Sequence, residues 1–219
     1  GFSKDETENA LIDLAFLGIE NVLALRGDNL KNERNFVPEK NGNSNALDLI
    51  RQIADMNNGV YQDQELQNVT ETNFCIGAAG YPEKHSDAAN MVSDLKFLKR
   101  KVDVGAAFIT TQMFFDNQKY IDYVAMCRAA GIMVPIIPGI KPITTKGQLR
   151  ALPKIFNMDI PEPLASELEK AKDDTAARQI GIEWCIQQCK ELKSLEVPAL
   201  HFYTMSFSSA TKEVVSQIL

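Results

Sequence analysis

Three segments of the chain share one pattern of apolar and polar positions. In each, an amphipathic stretch of helical period ends at a glycine and leads into a short run rich in β-branched residues. The segments are FLGIENVLAL (16–25), DVGAAFITTQ (103–112) and AAGIMVPIIP (129–138). Gly18, Gly105 and Gly131 stand where the residue after a helix adopts the left-handed conformation, which glycine tolerates because it lacks a Cβ. The pattern predicts a helix, a turn and a strand, three times over.

Two further segments read as strands without this lead-in. FCIGAAGY (74–81) and ALHFYTM (199–205) are short and apolar without alternation, as strands buried on both faces are. We therefore predict five strands of the parallel type.

Helical patterns fill the spaces between the strands. Ser3 followed by Glu6 reads as a capping box that starts the first helix. The other predicted helices lie at about 45–56, 87–101, 117–130, 146–156, 164–171, 174–193 and 208–219. Alternating helices and strands predict an α/β fold with a parallel sheet, either doubly wound or a (β/α)₈ TIM barrel.

Two polar stretches interrupt the alternation, at 29–44 and 57–73. Both resemble surface insertions, and neither has the length or the composition shift of an interdomain linker. We therefore expect residues 1–219 to form a single domain.

Composition narrows the class of protein. The net charge is −6, with 45% hydrophobic and 24% charged residues, and no run of eighteen apolar residues occurs, so no transmembrane helix is predicted. Scattered lysines and arginines argue against nucleic acid as the main partner. The four cysteines form no CxxC pair, so a cytoplasmic location is the simplest expectation. The chain starts at Gly1 rather than Met, and we expect a longer natural protein.

Polar residues follow the predicted strands, at the edge where parallel α/β folds bind ligands. The strand-end groups are Arg26-Gly27-Asp28, Tyr81 to His85, Thr110 to Gln112, Pro138 to Ile140, and His201 to Thr204. Each also has a structural interpretation: Arg26 and Asp28 could form a salt bridge across a turn, and the amide of Gln112 could be a satisfied core group. His85 is more typical of a hydrogen-bonding loop residue than of a catalyst.

Other chemical features are less specific. The basic residues Lys96, Lys99, Arg100 and Lys101 lie on one predicted helix and mostly face water in such a pattern, although one could neutralise a phosphate. Cys185 and Cys189 read as core residues, since no further ligand joins them at metal spacing, and we predict no metal site. The GxGxxG, GxxxxGK[ST] and GxSxG signatures are absent.

The strand-end residues resemble those of the methylenetetrahydrofolate reductase family, of the bacterial type. The matching blocks are NVLALRGD (21–28), AAGYPEKH (78–85), DLKFLKRKVDVGAAFITTQMFFD (94–116), GIMVPIIPGIKPI (131–143) and LHFYTM (200–205). The resemblance implies a (β/α)₈ barrel that holds FAD at the C-terminal ends of its strands. It implies that this chain supplies about five βα units, roughly the C-terminal two-thirds of the catalytic barrel, with the first three strands missing.

The resemblance also assigns roles to individual positions. It implies flavin contacts at Arg26, Gly27, Asp28, Ala46, Tyr81, His85, Ala88, Asp94 and Lys101. Asp28 is the implied catalytic residue and lies near the folate, and Gln112 is implied to touch both folate and nicotinamide. The implied reaction reduces 5,10-methylenetetrahydrofolate to 5-methyltetrahydrofolate, in one-carbon metabolism and methionine biosynthesis, with hydride from NAD(P)H passed through FAD.

The sequence departs from the family pattern in ways that matter for activity. Met205-Ser206-Phe207 stands where relatives often have Leu-Asn-Arg, and the glutamate regarded as general acid belongs to the missing strands. We therefore keep a non-catalytic fragment that folds or oligomerises without flavin as an alternative. A barrel enzyme that grips a phosphorylated substrate with Lys101 and the Arg26-Gly27 turn is a second alternative. We expect a homo-oligomer, although the apolar face of 174–193 could equally pack inside the chain.

Overall fold

The computed structural model describes residues 1–27 and 36–219. Its strands are β1 (Asn21–Ala24), β2 (Cys75–Gly80), β3 (Ala106–Met113), β4 (Ile136–Ile140) and β5 (His201–Phe202). All five strands predicted from the sequence are therefore confirmed. The last is shorter than the predicted 199–205, and Met205, with a φ of 50°, cannot belong to a strand.

The strands form one parallel sheet in the order β1-β2-β3-β4-β5. The β1–β2 register pairs Asn21 with Cys75, and the β4–β5 register pairs Gly139 with His201. A doubly wound sheet reverses its strand order at a switch point, whereas a barrel adds each new strand next to the previous one. The sequential order therefore gives the fold of consecutive βα units of a (β/α)₈ barrel, and the three further strands remain a prediction.

Helices precede the sheet and follow each strand. They are α1 (Lys4–Phe16), α2 (Ala46–Asn57), α3 (Met91–Asp103), α4 (Asn117–Ala129), α5 (Gln148–Phe156), α6 (Glu162–Lys170), α7 (Asp174–Ser194) and α8 (Ser209–Ile218). All the predicted helices are confirmed, with ends displaced by a few residues. None of the helices in the described part of the chain is long and apolar enough to cross a membrane.

Local capping explains several helix ends. Ser3 and Glu6 form the predicted capping box at the start of α1. After α1, Gly18 has φ 76° and its N–H donates to Ala15 O, while Ile19 N–H donates to Leu14 O. These two bonds make a Schellman motif.

Two more glycines test the same prediction. Gly131 ends α4 with φ 76° and the same pair of bonds, to Arg128 O and Cys127 O. Gly105, expected to be left-handed too, has a φ of 131°, a positive value that residues with a Cβ rarely adopt. A Cβ there would be 3.2 Å from the Cβ of Ala54, so close packing against α2 also limits this position.

The chain divides into two compact units. The first unit comprises residues 1–79 and 97–109, and the second comprises 80–96 and 110–219. The first has a core of apolar side chains from α1, β1, α2, β2 and β3: Leu11, Ala24, Ile50, Ile53, Met56, Phe74, Ile76, Ala78 and Ala106. The single domain expected from the sequence stays a prediction.

The second unit has its own core beside the N-terminal half of α7. Its buried members are Met113, Phe115, Ile143, Leu152, Met158, Leu164, Leu168, Ala171 and Ala177. Helix α7 packs against α4, α6 and α8, so its apolar face is covered within this unit. The homo-oligomer expected from the sequence stays a prediction.

In the described residues, the polar stretch 57–73 begins at Asn57, the last residue of α2, and has no other helix or strand. The described part of 29–44 has none either, apart from an isolated bridge between Gly42 and Ser3. Residues 28–35 lie outside the described part. Most of 58–73 is exposed, in agreement with a surface insertion.

Candidate functional site

In the first unit, the end of β1 borders a cleft of about 370 Å³. Arg26, Gly27 and Phe36 line it, and the Arg26 guanidinium carbon lies 5.2 Å from the centre of the Phe36 ring, a cation–π distance. Gly27 has φ 84°, and a Cβ there would meet no atom of residues 1–27 or 36–219 within 4 Å. The strand end thus leaves open space beside its backbone. Asp28, the predicted catalytic residue, lies outside the described residues.

Helix α2 brings its first turn to the same cleft. The side chain of Asn45 caps this helix by accepting the N–H groups of Leu47 and Asp48, at 2.9 and 3.1 Å. Asn45 lines the cleft, whereas the half-buried Ala46, which the resemblance assigned to the cofactor, does not appear in its lining. Sequence reasoning missed Asn45, although an asparagine before an apolar helical run is a recognisable N-cap signal.

Lys101 is the buried member of the basic run on α3. Lys101 is only 6% exposed. Its ammonium donates to Ala79 O at 3.2 Å and lies 5.2 Å from the centre of the Phe97 ring. Lys99, two residues earlier, pairs with Asp103 on a more exposed face. Since Ala79 belongs to the C-terminal end of β2, the fold places the ammonium of Lys101 at a strand end. The sequence analysis had left open that one residue of this basic run could neutralise a phosphate.

In the second unit, the loop between β2 and α3 is held by hydrogen bonds to its backbone. The carboxylate of Asp94 accepts the N–H of His85 at 2.8 Å. Lys84, with φ 76°, donates from its ammonium to the carbonyls of His85 and Ala88, at 3.0 and 2.7 Å. Asp94 and Ala88, both assigned to the flavin by resemblance, therefore also fix the shape of this loop.

Two rings stand together at the start of this loop. The rings of Tyr81 and His85 make an edge-to-face contact with centres 4.5 Å apart. The Nδ1 of His85 accepts the N–H of Asp87 at 3.0 Å, which puts the proton of the neutral ring on Nε2. Tyr81 N–H donates to the hydroxyl of the buried Tyr123 at 3.2 Å. The fold thus presents an imidazole donor beside a phenol ring.

Glu83 lies within the predicted strand-end group Tyr81 to His85, but sequence reasoning assigned its side chain no role. Its side chain is 12% exposed, accepts the N–H of Asp159 at 3.1 Å and lies 3.7 Å from the ammonium of Lys119. Lys119 also lies 3.6 Å from the Asp159 carboxylate. Burial raises the pKa of Glu83 to about 7, despite the opposing effects of the Asp159 N–H and of Lys119. Only the tertiary structure creates this burial, so no sequence pattern could have signalled it.

We expect the pH dependence of stability to report Glu83. Because its folded-state pKa, about 7, lies above the ordinary 4.5, the folded protein keeps a proton that the unfolded chain has lost between these values. The contribution of protonated Glu83 to the unfolding free energy is fully present below about pH 4.5 and disappears as pH rises through about 7. Glu83→Gln should flatten the fall in unfolding free energy between about pH 5 and 8, by an amount of order 1 kcal/mol after solvent screening.

The measurement is urea unfolding at several pH values. Glu167→Gln, an exposed change on α6, is the matched control and should keep the slope of the unchanged protein. An unchanged slope in Glu83→Gln would show that Glu83 does not titrate in this range.

At the ends of β3 and β4, Thr111 joins three strand ends. Its hydroxyl accepts the N–H of Gly139 at 2.9 Å, and its carbonyl accepts the hydroxyl of Tyr203 at 2.9 Å. A Cβ at Gly139 would be 2.2 Å from Thr111 O and 2.7 Å from the Tyr203 ring, so only glycine fits there. Burial raises the pKa of Tyr203 to about 12, which keeps this phenol a hydrogen-bond donor.

Gln112 occupies the next position on β3. It is half-buried, and its side-chain oxygen accepts the N–H of Met113 at 3.0 Å. The side chain of His201, on β5, contacts Tyr203 with ring centres 4.7 Å apart, and burial lowers the pKa of this histidine. The second unit therefore collects amide, phenol and imidazole groups at its strand ends.

Comparison with known proteins identifies the family. The family model for methylenetetrahydrofolate reductase matches residues 2–219. Methylenetetrahydrofolate reductase 2 of Saccharomyces cerevisiae is 37% identical over 96% of this chain and 34% of its own length. The probable methylenetetrahydrofolate reductase (NADPH) of Caenorhabditis elegans is 34% identical over 99% of this chain and 31% of its own length. The maize methylenetetrahydrofolate reductase (NADH) 1 is 36% identical over 94% of this chain and 34% of its own length.

A solved structure is also similar. It is an uncharacterized protein from Clostridium thermocellum described as binding two copies of 5-methyl-5,6,7,8-tetrahydrofolic acid, with a TM-score of 0.48 and 16% identity over 67% of this chain and 52% of that one. The chain spans about a third of the length of the curated relatives it matches. These curated relatives are eukaryotic, so the bacterial type is not confirmed. The chain belongs to the methylenetetrahydrofolate reductase family.

Proposed function

We propose that this protein reduces 5,10-methylenetetrahydrofolate to 5-methyltetrahydrofolate, with hydride from NAD(P)H passed through FAD. The observation that carries the proposal is the family match, which extends over residues 2–219. Relatives named for NADPH and for NADH are similarly close in identity, 34% and 36%, so the proposal covers both donors.

The donor groups of the first unit suit the charged part of FAD. Its diphosphate needs cations, and Arg26 and the buried Lys101 are cations at strand ends. Gly27 suits close approach of a ligand to its backbone, since no atom of the described residues lies within 4 Å of a Cβ placed there. We assign Arg26, Gly27, Ala46 and Lys101 to the cofactor, together with Asp28.

The second unit offers groups of a different kind. The Tyr81 and His85 rings present flat surfaces and an N–H donor, which suit an aromatic ring and a phosphate or ribose oxygen. Asp94 and Ala88 keep the loop in place through its backbone. We assign all four to the cofactor. FAD, when bound, supplies the ability to accept hydride from nicotinamide and pass it to folate.

Two residues of this chain would act on the substrates. The amide of Gln112 can both donate and accept hydrogen bonds without titrating, so it would orient the nicotinamide and the folate in turn. Opening the five-membered ring of the folate requires a proton on nitrogen and produces a cationic iminium. The carboxylate of Asp28 would stabilise this cation electrostatically.

The Asp28 assignment predicts an effect on one half-reaction. Asp28→Asn should slow reoxidation of the reduced enzyme by methylenetetrahydrofolate about tenfold more than it slows reduction by NAD(P)H, because the cation forms only with folate. Flavin absorbance in stopped-flow experiments measures each step. The control is Asp13→Asn, an exposed change on α1, which should alter neither rate; equal slowing of both steps by Asp28→Asn would remove this role.

The absorbance spectrum of the purified protein tests the function itself. Flavin bands that survive desalting, bleach with NADH or NADPH and return with methylenetetrahydrofolate are the expected result. A purified protein that shows no flavin bands after incubation with FAD and desalting would support the non-catalytic alternative. Bands that bleach but do not return with folate would assign a different electron acceptor.

A further inference from the structure

Helix α4 sends one buried hydroxyl to the loop between β2 and α3. Tyr123, on α4, is only 1% exposed, and its hydroxyl accepts the N–H of Tyr81 at 3.2 Å. Tyr81 is the first residue after β2, and its ring contacts the ring of His85. Both α4 and this loop belong to the second unit. The hydroxyl therefore holds the backbone of a loop whose side chains are assigned above to the cofactor.

Tyr123 keeps its proton and has a lone pair for the N–H of Tyr81. Burial, with the nearby side chains of Cys127 and Asp94, raises the pKa of Tyr123 well above its usual value of 10. A neutral phenol has one O–H to donate and lone pairs that accept. The side chain of Cys127, one turn later on α4, is fully buried and forms a hydrogen bond with the Tyr123 hydroxyl. The hydroxyl is therefore held between its own helix and the loop.

The same loop has a second support four residues later. The carboxylate of Asp94, on α3, accepts the N–H of His85 at 2.8 Å. Between the two supported amides lies Lys84, whose φ of 76° is rare for a residue with a Cβ. A conformation of this kind persists only where surrounding contacts enforce it. The backbone of residues 81–85 is therefore shaped by side chains of α3 and α4.

We infer that Tyr123 is a positioning residue for the loop of residues 81–85. Because Tyr123 is buried, it can act on a ligand only through Tyr81, by fixing the backbone that carries the Tyr81 ring. The rings of Tyr81 and His85 lie 4.5 Å apart, so a displaced Tyr81 also removes a neighbour of the imidazole. The effect on FAD rests on the proposed function, whereas the effect on the loop does not.

Tyr123→Phe removes the hydroxyl and keeps the ring that fills this buried space. Without the acceptor, the loop of the unliganded protein can turn the Tyr81 N–H toward water, and FAD must reverse this shift to bind. One hydrogen bond of ordinary strength shifts such an equilibrium about tenfold, and the apparent affinity falls with the population of the binding form. We expect FAD to bind Tyr123→Phe about tenfold more weakly, and the Tyr81 amide to exchange its hydrogen about tenfold faster.

Tyr120→Phe is the matched control on the same helix. Tyr120 is also buried, at 5% exposed, but its hydroxyl donates to Ile136 O, on β4, at 2.7 Å. The control therefore removes one buried hydrogen bond without changing the support of the loop. Both variants should lose similar stability to urea, whereas FAD affinity and exchange of the Tyr81 amide should change only in Tyr123→Phe.

Titration of the apoprotein with FAD gives the affinities, and hydrogen exchange followed by NMR gives the rate at the Tyr81 amide. The unchanged protein provides a second measurement that does not depend on the folding of any variant. If Tyr123 positions the loop, the Tyr81 amide is already protected before FAD is added. An amide that becomes protected only with FAD would show that the cofactor itself orders the loop, and would overturn the role of Tyr123.

Two results with the variants would also overturn this role. One is a Tyr123→Phe protein that binds FAD like the unchanged protein. The other is a Tyr120→Phe protein that loses as much FAD affinity as Tyr123→Phe, which would report lost stability alone. If the unchanged protein binds no FAD, the proposed function fails, and exchange of the Tyr81 amide alone decides whether Tyr123 positions the loop.

Discussion

Replacing Gly181 by alanine is expected to destabilise the protein by about 3 kcal/mol or more, at the upper end of overpacking effects. A Cβ at this position would lie 2.0 Å from Ile143 O and 2.9 Å from Ile143 N. These are backbone atoms, so either α7 or the segment after β4 must move. Helix propensity alone predicts the opposite sign, since alanine in a helix interior is favoured over glycine by about 0.5–1 kcal/mol.

Urea unfolding followed by Trp184 fluorescence measures this effect. Gly147→Ala is the matched control, because Gly147 has φ −60° and the nearest atom to an added Cβ is Thr145 Oγ1 at 4.0 Å. Its stability should change by less than about 1 kcal/mol. A Gly181→Ala protein that unfolds at the same urea concentration as the unchanged protein would show that α7 and Ile143 are not in direct contact.

Replacing Lys101 by methionine is expected to weaken FAD binding about 10- to 100-fold. The change keeps an apolar side chain of similar length but removes the ammonium charge. Lys101 is only 6% exposed, and its ammonium donates to Ala79 O. A charged hydrogen bond contributes about 1.5–3 kcal/mol, and 1.4 kcal/mol is a factor of ten in affinity. Titration of the apoprotein with FAD, followed by flavin fluorescence, gives the dissociation constant.

The neighbouring lysine provides the control. Lys99→Met removes a charge from the same helix, but Lys99 pairs with Asp103 on the more exposed face, so FAD affinity should not change. Thermal unfolding separates binding from folding, and Lys101→Gln, which keeps a donor for Ala79 O, replaces the methionine variant if that variant does not fold. Equal FAD affinity in the Lys101 and Lys99 variants would remove Lys101 from the cofactor site.

Much of the secondary structure followed from the sequence because its causes are local. The capping box at Ser3 and Glu6, and the glycines after α1 and α4, act through residues a few positions apart. The five strands were recognisable as short apolar runs without alternation. The strand-end positions of Arg26, Tyr81 and Gln112 then followed from the strand boundaries.

Other properties required the packed structure. The sequence shows four basic residues on α3, but only the tertiary structure decides that Lys101 is buried while Lys99 pairs in a more exposed position. Likewise, the raised pKa of Glu83 results from burial beside Asp159 and Lys119, which are distant along the chain.

The sequence by itself determined the order and type of the elements, the family, and the residues at the strand ends, because these depend on local periodicity and short motifs. Periodicity left open whether the sheet was doubly wound or barrel-like. The family resemblance implied a barrel, and the sequential strand order agrees with it. Only the tertiary structure revealed the hydrogen bond from Tyr81 to the buried Tyr123. Burial and hydrogen-bond satisfaction depend on contacts between distant segments, and such contacts leave no periodic pattern in the sequence.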